Sequence, residues 1–192
     1  MDVARRRLRY ARLLTLRVSV RAGCDLFLDG DMPSLTITKR INAPVETVFD
    51  VATDLAHAAE RIRGIEKIEV LTPGPVGIGT RWRETRRMMG RESTETLEFT
   101  AFDRPRFYTV GCESCGAYME TTFRFTPAVG AANGDATDLT LDVRSEARSL
   151  FAKLMSPLTK LMFGKMMRGC MEDDLNDLAR AAESRARASV TA

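Results

Sequence analysis

Hydrophobic positions along the chain alternate, then fall into helical spacing, alternate again through the middle, and end in a long helical stripe. Leu35, Ile37 and Ile41 are separated by Thr36, Thr38 and Arg40, the period-two pattern of a half-buried strand. Asn42-Ala43-Pro44 stops it, and Pro44 suits the first turn of a helix, where its missing N–H would have had no partner. Val45, Val48 and Phe49 follow at helical spacing, so the segment from Val45 to about Glu60 predicts one or two short helices. Strands are then predicted over Ile65 to Leu71, from Gly77-Ile78-Gly79-Thr80 through Met89, over Glu92 to Phe102, Phe107 to Gly111, Ala117 to Thr126 and Thr137 to Arg144. The breaks between them rest on Gly and Pro chemistry: Thr72-Pro73-Gly74-Pro75, Gly90, Asp103-Arg104-Pro105, and the loop from Pro127 through Asp135.

From Ser149 the period becomes helical. Phe151, Met155, Leu158, Met162 and Met166 recur at steps of four, three, four and four residues. Pro157 removes a backbone donor and is expected to kink or break this helix, which then continues to about Ser184, a span of roughly 40 Å. Strands in runs with one long terminal helix predict an α+β fold: a curved antiparallel sheet of about seven strands packed on the C-terminal helix, with two short helices after strand 1.

Three segments carry a family likeness. The strand–Ala43-Pro44–helix opening, Gly77-Ile78-Gly79-Thr80-Arg81-Trp82 before the third strand and Phe102-Asp103-Arg104-Pro105-Arg106-Phe107 in the fourth turn resemble the START/polyketide-cyclase superfamily, also called SRPBCC or helix-grip. The resemblance runs from residue 34 to about 184 in element order. It implies a sheet wrapped around the terminal helix with a pocket between them, in a superfamily that includes lipid carriers, aromatic polyketide cyclases and hormone-binding proteins. Residues 32–185 then form the domain, 1–31 a basic N-terminal extension and 186–192 a tail.

Composition adds less than distribution. The 192 residues are 44% hydrophobic and 29% charged, ordinary for a globular protein with one substantial core. Residues 1–31 hold seven arginines against four aspartates, which accounts for the whole formal charge of +3. The domain is therefore neutral, and the sequence offers no nucleic-acid-binding motif to go with the basic segment. Its apolar runs are interrupted by Arg12, Arg17 and Arg21, so it lacks an unbroken signal core; it reads as a transit-peptide-like start, as an upstream extension with Met32 as the functional start, or as a mobile tail. Four cysteines in a chain this long make no disulfide framework, and free thiols in the cytoplasm are the expectation.

Period two also sets the candidate pocket. If Trp82 faces inward, Glu84, Arg86 and Met88 share its face; Glu95, Leu97 and Phe99 join from the next strand, and Phe123 and Phe125 from the sixth. Met155, Leu158, Met162 and Met166 would line the helix side. An apolar, aromatic and Met-rich lining with a few polar groups suits a small-molecule pocket, and the same stripes suit a solid core. Glu84, Arg86 and Glu95 form either a buried ionic cluster that orients a polar ligand end or an exposed set of pairs.

Other motifs carry less. His57 is the sole histidine, so no triad or multi-histidine metal site can be built, and it reads as a surface residue. Cys112-Glu113-Ser114-Cys115 has redox or metal spacing without the context for either and reads as a hairpin turn. Gly77-Ile78-Gly79 lacks the rest of a dinucleotide fingerprint. Lys153, Lys160, Lys165 and Arg168 beside the Met/Leu stripe suit contact with an anionic membrane surface, and Glu172, Asp173, Asp174 and Asp177 make the helix end look charge-laced and exposed. No cofactor is called for.

The first functional expectation is binding or transport of a hydrophobic small molecule or lipid. The alternative is a cyclase- or dehydratase-like enzyme on an aromatic or polyketide substrate, with Glu84, Glu95, Tyr108 or Tyr118 as acid/base groups around Arg86. A third is a non-catalytic interaction module at a membrane surface or protein partner.

Overall fold

The computed structural model describes residues 35–88, 90–114, 117–130, 135–147 and 157–191. Seven strands form one antiparallel sheet: β1 (Leu35–Ile41), β2 (Ile65–Val70), β3 (Arg81–Met88), β4 (Arg91–Asp103), β5 (Phe107–Ser114), β6 (Ala117–Pro127) and β7 (Thr137–Ala147). Their order is β1-β7-β6-β5-β4-β3-β2. β1 lies at one edge; the chain then crosses to the other through α1 (Val45–Thr53), a single 3-10 turn and α2 (Ala58–Arg61), and returns hairpin by hairpin until β7 pairs with β1. The final element is α3 (Pro157–Thr191).

The local chemistry explains the opening. Ile37 and Ile41 are buried while Thr36, Thr38 and Arg40 are exposed, as the alternation required. On the outer face Thr36 donates to Asp142 at 2.7 Å and Arg40 pairs with Asp138 at 2.9 Å, cross-strand contacts that reinforce the β1–β7 register. Pro44 stands immediately before α1 as its N-cap, and Val48, Phe49 and Val51 turn into the core. A register shift between Phe99 and Ala101 bends β4, which is how an antiparallel sheet gains curvature.

α3 departs from expectation at its C-terminal end. Pro157 opens the helix, where a missing N–H costs nothing, and the helix reaches Thr191, seven residues beyond Ser184. Its 35 residues span roughly 50 Å. Leu175, Leu178, Ala179 and Ala182 are buried against α1 and the sheet. The charged run before them is not simply exposed: Asp177 is 2% accessible and Asp174 is half-buried, because both carboxylates meet arginines from the other side of the fold.

The core concentrates at the α1 end. Phe49 meets Phe102, Tyr108 and Phe125 edge to face at 5.1 to 5.9 Å, while Phe99 contacts Trp82, Phe102 and Tyr108. Inward-facing residues further along the sheet, Leu97, Met119 and Ser145, are only half-buried, as are Met166, Met167, Cys170 and Met171 on α3. Among the described residues no helix is long and apolar enough to cross a membrane.

Candidate functional site

The β3–β4 register pairs Trp82 with Leu97, Glu84 with Glu95 and Arg86 with Ser93, so all six share one face. Trp82, 3% accessible, identifies that face as the concave one. Glu84 sits beside it at 9% accessibility and accepts two hydrogen bonds, from Trp82 Nε1 at 3.1 Å and from Arg86 Nε at 2.5 Å. The Arg86 guanidinium also donates to Asp174 Oδ2 at 2.7 Å, tying β3 to the middle of α3. One guanidinium is thus shared by two carboxylates at the rim of an aromatic cluster.

The electrostatics follow from burial. Desolvation opposes the charged guanidinium, but Glu84 and Asp174 outweigh it and hold Arg86 protonated. Burial raises the Asp174 carboxyl, with Glu84 and Asp177 adding to the rise against the pull of Arg86. Burial, and then the Glu84 charge, push the Tyr108 phenol well above its ordinary range. Cys112 is pushed up to about 11 by burial, Glu95 and Glu84, which keeps it a neutral thiol.

What this arrangement can do is bounded by those states. It offers an apolar and aromatic surface, a fixed cation, and carboxylate oxygens with lone pairs left over after their present bonds. That set can bind and orient a polar group at one end of a hydrophobic molecule, or hold a carboxylate beside a reacting proton. Among the described residues no group of three or more His, Cys, Asp or Glu is placed to hold a metal ion.

Residues 32–183 match the family described as "Polyketide cyclase / dehydrase and lipid transport". The chain belongs to that family. No curated protein matches it in sequence. Among solved structures it is similar to the Zhui aromatase/cyclase from Streptomyces sp. R1128, at 22% identity and a TM-score of 0.67, over 82% of this chain and 98% of that one. It is also similar to a START superfamily protein from Mycobacterium smegmatis, at 17% identity and a TM-score of 0.57, over 80% and 97% of the two chains. The di-domain ARO/CYC StfQ from the steffimycin biosynthetic pathway aligns at 11% identity and a TM-score of 0.66, over 80% of this chain and 52% of that one. At these identities the likeness is one of fold.

In this polyketide cyclase/lipid-transport family member, the expected site residues fall into three groups. Glu84, Arg86, Glu95 and Leu97 come together on the concave face with Trp82. Phe99 and Phe125 are packed into the ring cluster at 1% and 3% accessibility, and Phe123 stacks on Tyr108 at 4.6 Å. These rings close the α1 end. Met166 is half-buried on α3; Met155 and the side chains of Met88, Leu158 and Met162 lie outside the described residues.

The two tyrosines separate. Tyr108 is on the concave side within the ring cluster. Tyr118 alternates with the inward Met119 and Thr121, so it faces the convex side, where its hydroxyl lies against Gly111. His57 is exposed and pairs with Asp54 at 2.9 Å, a carboxylate also held by Arg61. Cys112 lies inside β5 rather than in a turn, and Cys115 is outside the described residues. On α3 Lys165 is exposed and Arg168 pairs with Glu172; Lys153 and the Lys160 side chain are outside the described residues.

The sequence reading missed Asp174 and Cys112. Asp174 sits three residues before Asp177 and four before Leu178, a spacing that places all three on the sheet-facing side, but the surrounding acidic run concealed it. Cys112 follows Tyr108 and Val110 at period two, which was the available signal.

Two surface clefts accompany the site. One of about 340 Å³ lies between the β1 edge and α3, where Lys39 donates to Asn176 at 2.8 Å. The other, of about 400 Å³, is lined by Pro44, Val45, Pro105, Arg106 and Phe125 outside the N-terminus of α1.

Proposed function

We propose that the protein binds a small hydrophobic molecule between the concave face of the sheet and α3, with the polar end of the ligand at Glu84, Arg86 and Asp174. The carrying observation is the Trp82–Glu84–Arg86–Asp174 chain of hydrogen bonds, an ionic cluster on an otherwise aromatic and apolar face. Burying such a cluster is expensive relative to an apolar replacement, so a role in orienting a ligand gives a reason for its presence. The half-burial of Leu97, Met119, Met166, Met167 and Met171 favours the region beyond the ring cluster for the apolar body of the ligand.

Native mass spectrometry of the recombinant protein, after incubation with fractionated hydrophobic extracts, tests this reading. A discrete bound mass that is lost in an Arg86→Ala, Met171→Trp double variant is the expected result. Protein that stays empty with every fraction overturns it.

The second reading is catalysis of the cyclase or dehydratase type, favoured by the family match and by Glu84, which is held by a fixed cation and whose charge acts on the Tyr108 phenol. In that reading Arg86 polarises a ligand carbonyl while Glu84 or Glu95 accepts a proton. Turnover of a poly-β-keto thioester that persists in both Glu84→Gln and Glu95→Gln overturns those roles.

A further inference from the structure

We propose that this site, granted the binding reading above, accepts ligands whose polar end is an uncharged hydrogen-bond donor of the phenol type and discriminates against carboxylates. The described charged groups placed toward this space are Glu84, Arg86 and Glu95 from the sheet and Asp174 from α3. Lys39 lies at the β1 edge and is engaged by Asn176, while Asp177 is occupied by Arg63 and Arg180. Arg86 is the cation at the cluster, and it already serves Glu84 through Nε and Asp174 through an Nη.

A ligand carboxylate that approaches this guanidinium meets two carboxylates first. It must displace one of them, leaving that group half-buried and without its cation, or remain beside both and bear the repulsion. A phenol faces neither cost. Its O–H donates to a carboxylate oxygen, and each Glu84 oxygen keeps a lone pair after accepting from Arg86 or Trp82. Burial first, and then the Glu84 and Asp177 charges, raise the Asp174 carboxyl against the pull of Arg86.

Isothermal titration calorimetry near pH 7 with 2-naphthol, 2-naphthoate and 2-methoxynaphthalene separates the outcomes, because only the naphthoate is then ionised. The expected order is naphthol tightest, the methyl ether weaker, and naphthoate weaker than naphthol by at least about tenfold, the factor that corresponds to one poorly compensated charge contact. Asp174→Asn, checked for native circular dichroism, releases one Arg86 partner and is expected to narrow that gap by about tenfold. Naphthoate binding as tightly as naphthol to the wild-type protein overturns the charge selectivity while leaving the binding reading in place. Binding of none of the three counts against the binding reading itself, and the selectivity falls with it.

Discussion

Arg86 on β3 and Asp174 on α3 meet at 2.7 Å across the sheet–helix interface, with the same guanidinium holding Glu84 at 2.5 Å. Both members of the interface pair are mostly shielded, at 26% and 22% side-chain exposure. The helix is therefore anchored at its middle by charge and at its C-terminal half by Leu175, Leu178 and Ala182.

Loss of that anchor is expected to destabilise the protein measurably. Asp174→Ala leaves Arg86 with Glu84 alone, so the cost is put at about 1–3 kcal/mol, below the range for a fully buried pair. Urea unfolding followed by circular dichroism measures it. An Arg86→Met, Asp174→Leu double variant should recover part of the loss, since a well-packed apolar pair removes the desolvation penalty.

The ring cluster predicts a larger effect. Phe49 is fully buried and meets three rings, so Phe49→Ala is expected to cost about 3–5 kcal/mol and Phe49→Leu distinctly less. Thermal and urea denaturation should rank the two in that order.

Asp177 gives a pH dependence. Burial opposes its charge, but the Arg63 backbone and side chain and then Arg180 hold its carboxyl below the ordinary range. Because the native value lies below the unfolded one of about 4, its contribution is complete above that pH and is lost as pH falls through the native value. Urea midpoints measured from neutral pH down to about pH 3 should fall on the acid side, and Asp177→Asn should flatten that limb while lowering neutral stability.

Gly111 and Tyr118 make a testable couple on the convex face. A Cβ at Gly111 would run into the Tyr118 hydroxyl and come within 3.0 Å of the Thr100 methyl. Gly111→Ala is expected to cost about 1–3 kcal/mol, and Tyr118→Ala in the same chain should recover part of it. A double-mutant cycle showing simple additivity would contradict this packing account. The same placement predicts that Tyr118→Phe leaves ligand binding unchanged.

Much of this architecture was legible in the sequence because period two and period 3.6 report directly on which face is buried. Trp82, Glu84 and Arg86 declared a common face, and the register places Glu95 and Leu97 opposite them. Ala43-Pro44 marked the strand-to-helix turn for a simple steric reason. Asp174 was hidden because a side chain in an acidic helical run is assigned to solvent or to a partner only by what packs on it, and Arg86 lies 88 positions away. Tyr118 was equally ambiguous until the β5–β6 register fixed its face. Pro157 stands at the start of α3, in keeping with the break its missing N–H imposes, and the residues before it lie outside the described ones.

Trp82 is the sole tryptophan, and its indole N–H is bonded to Glu84 within the cluster, so it provides a single resolved reporter of the site. In a ¹⁵N-labelled sample titrated with 2-naphthol, the account predicts a saturable shift of the Trp82 indole resonance together with the methyl signal of Met171. Saturable binding that leaves both signals in place would contradict a ligand site between the concave face and α3.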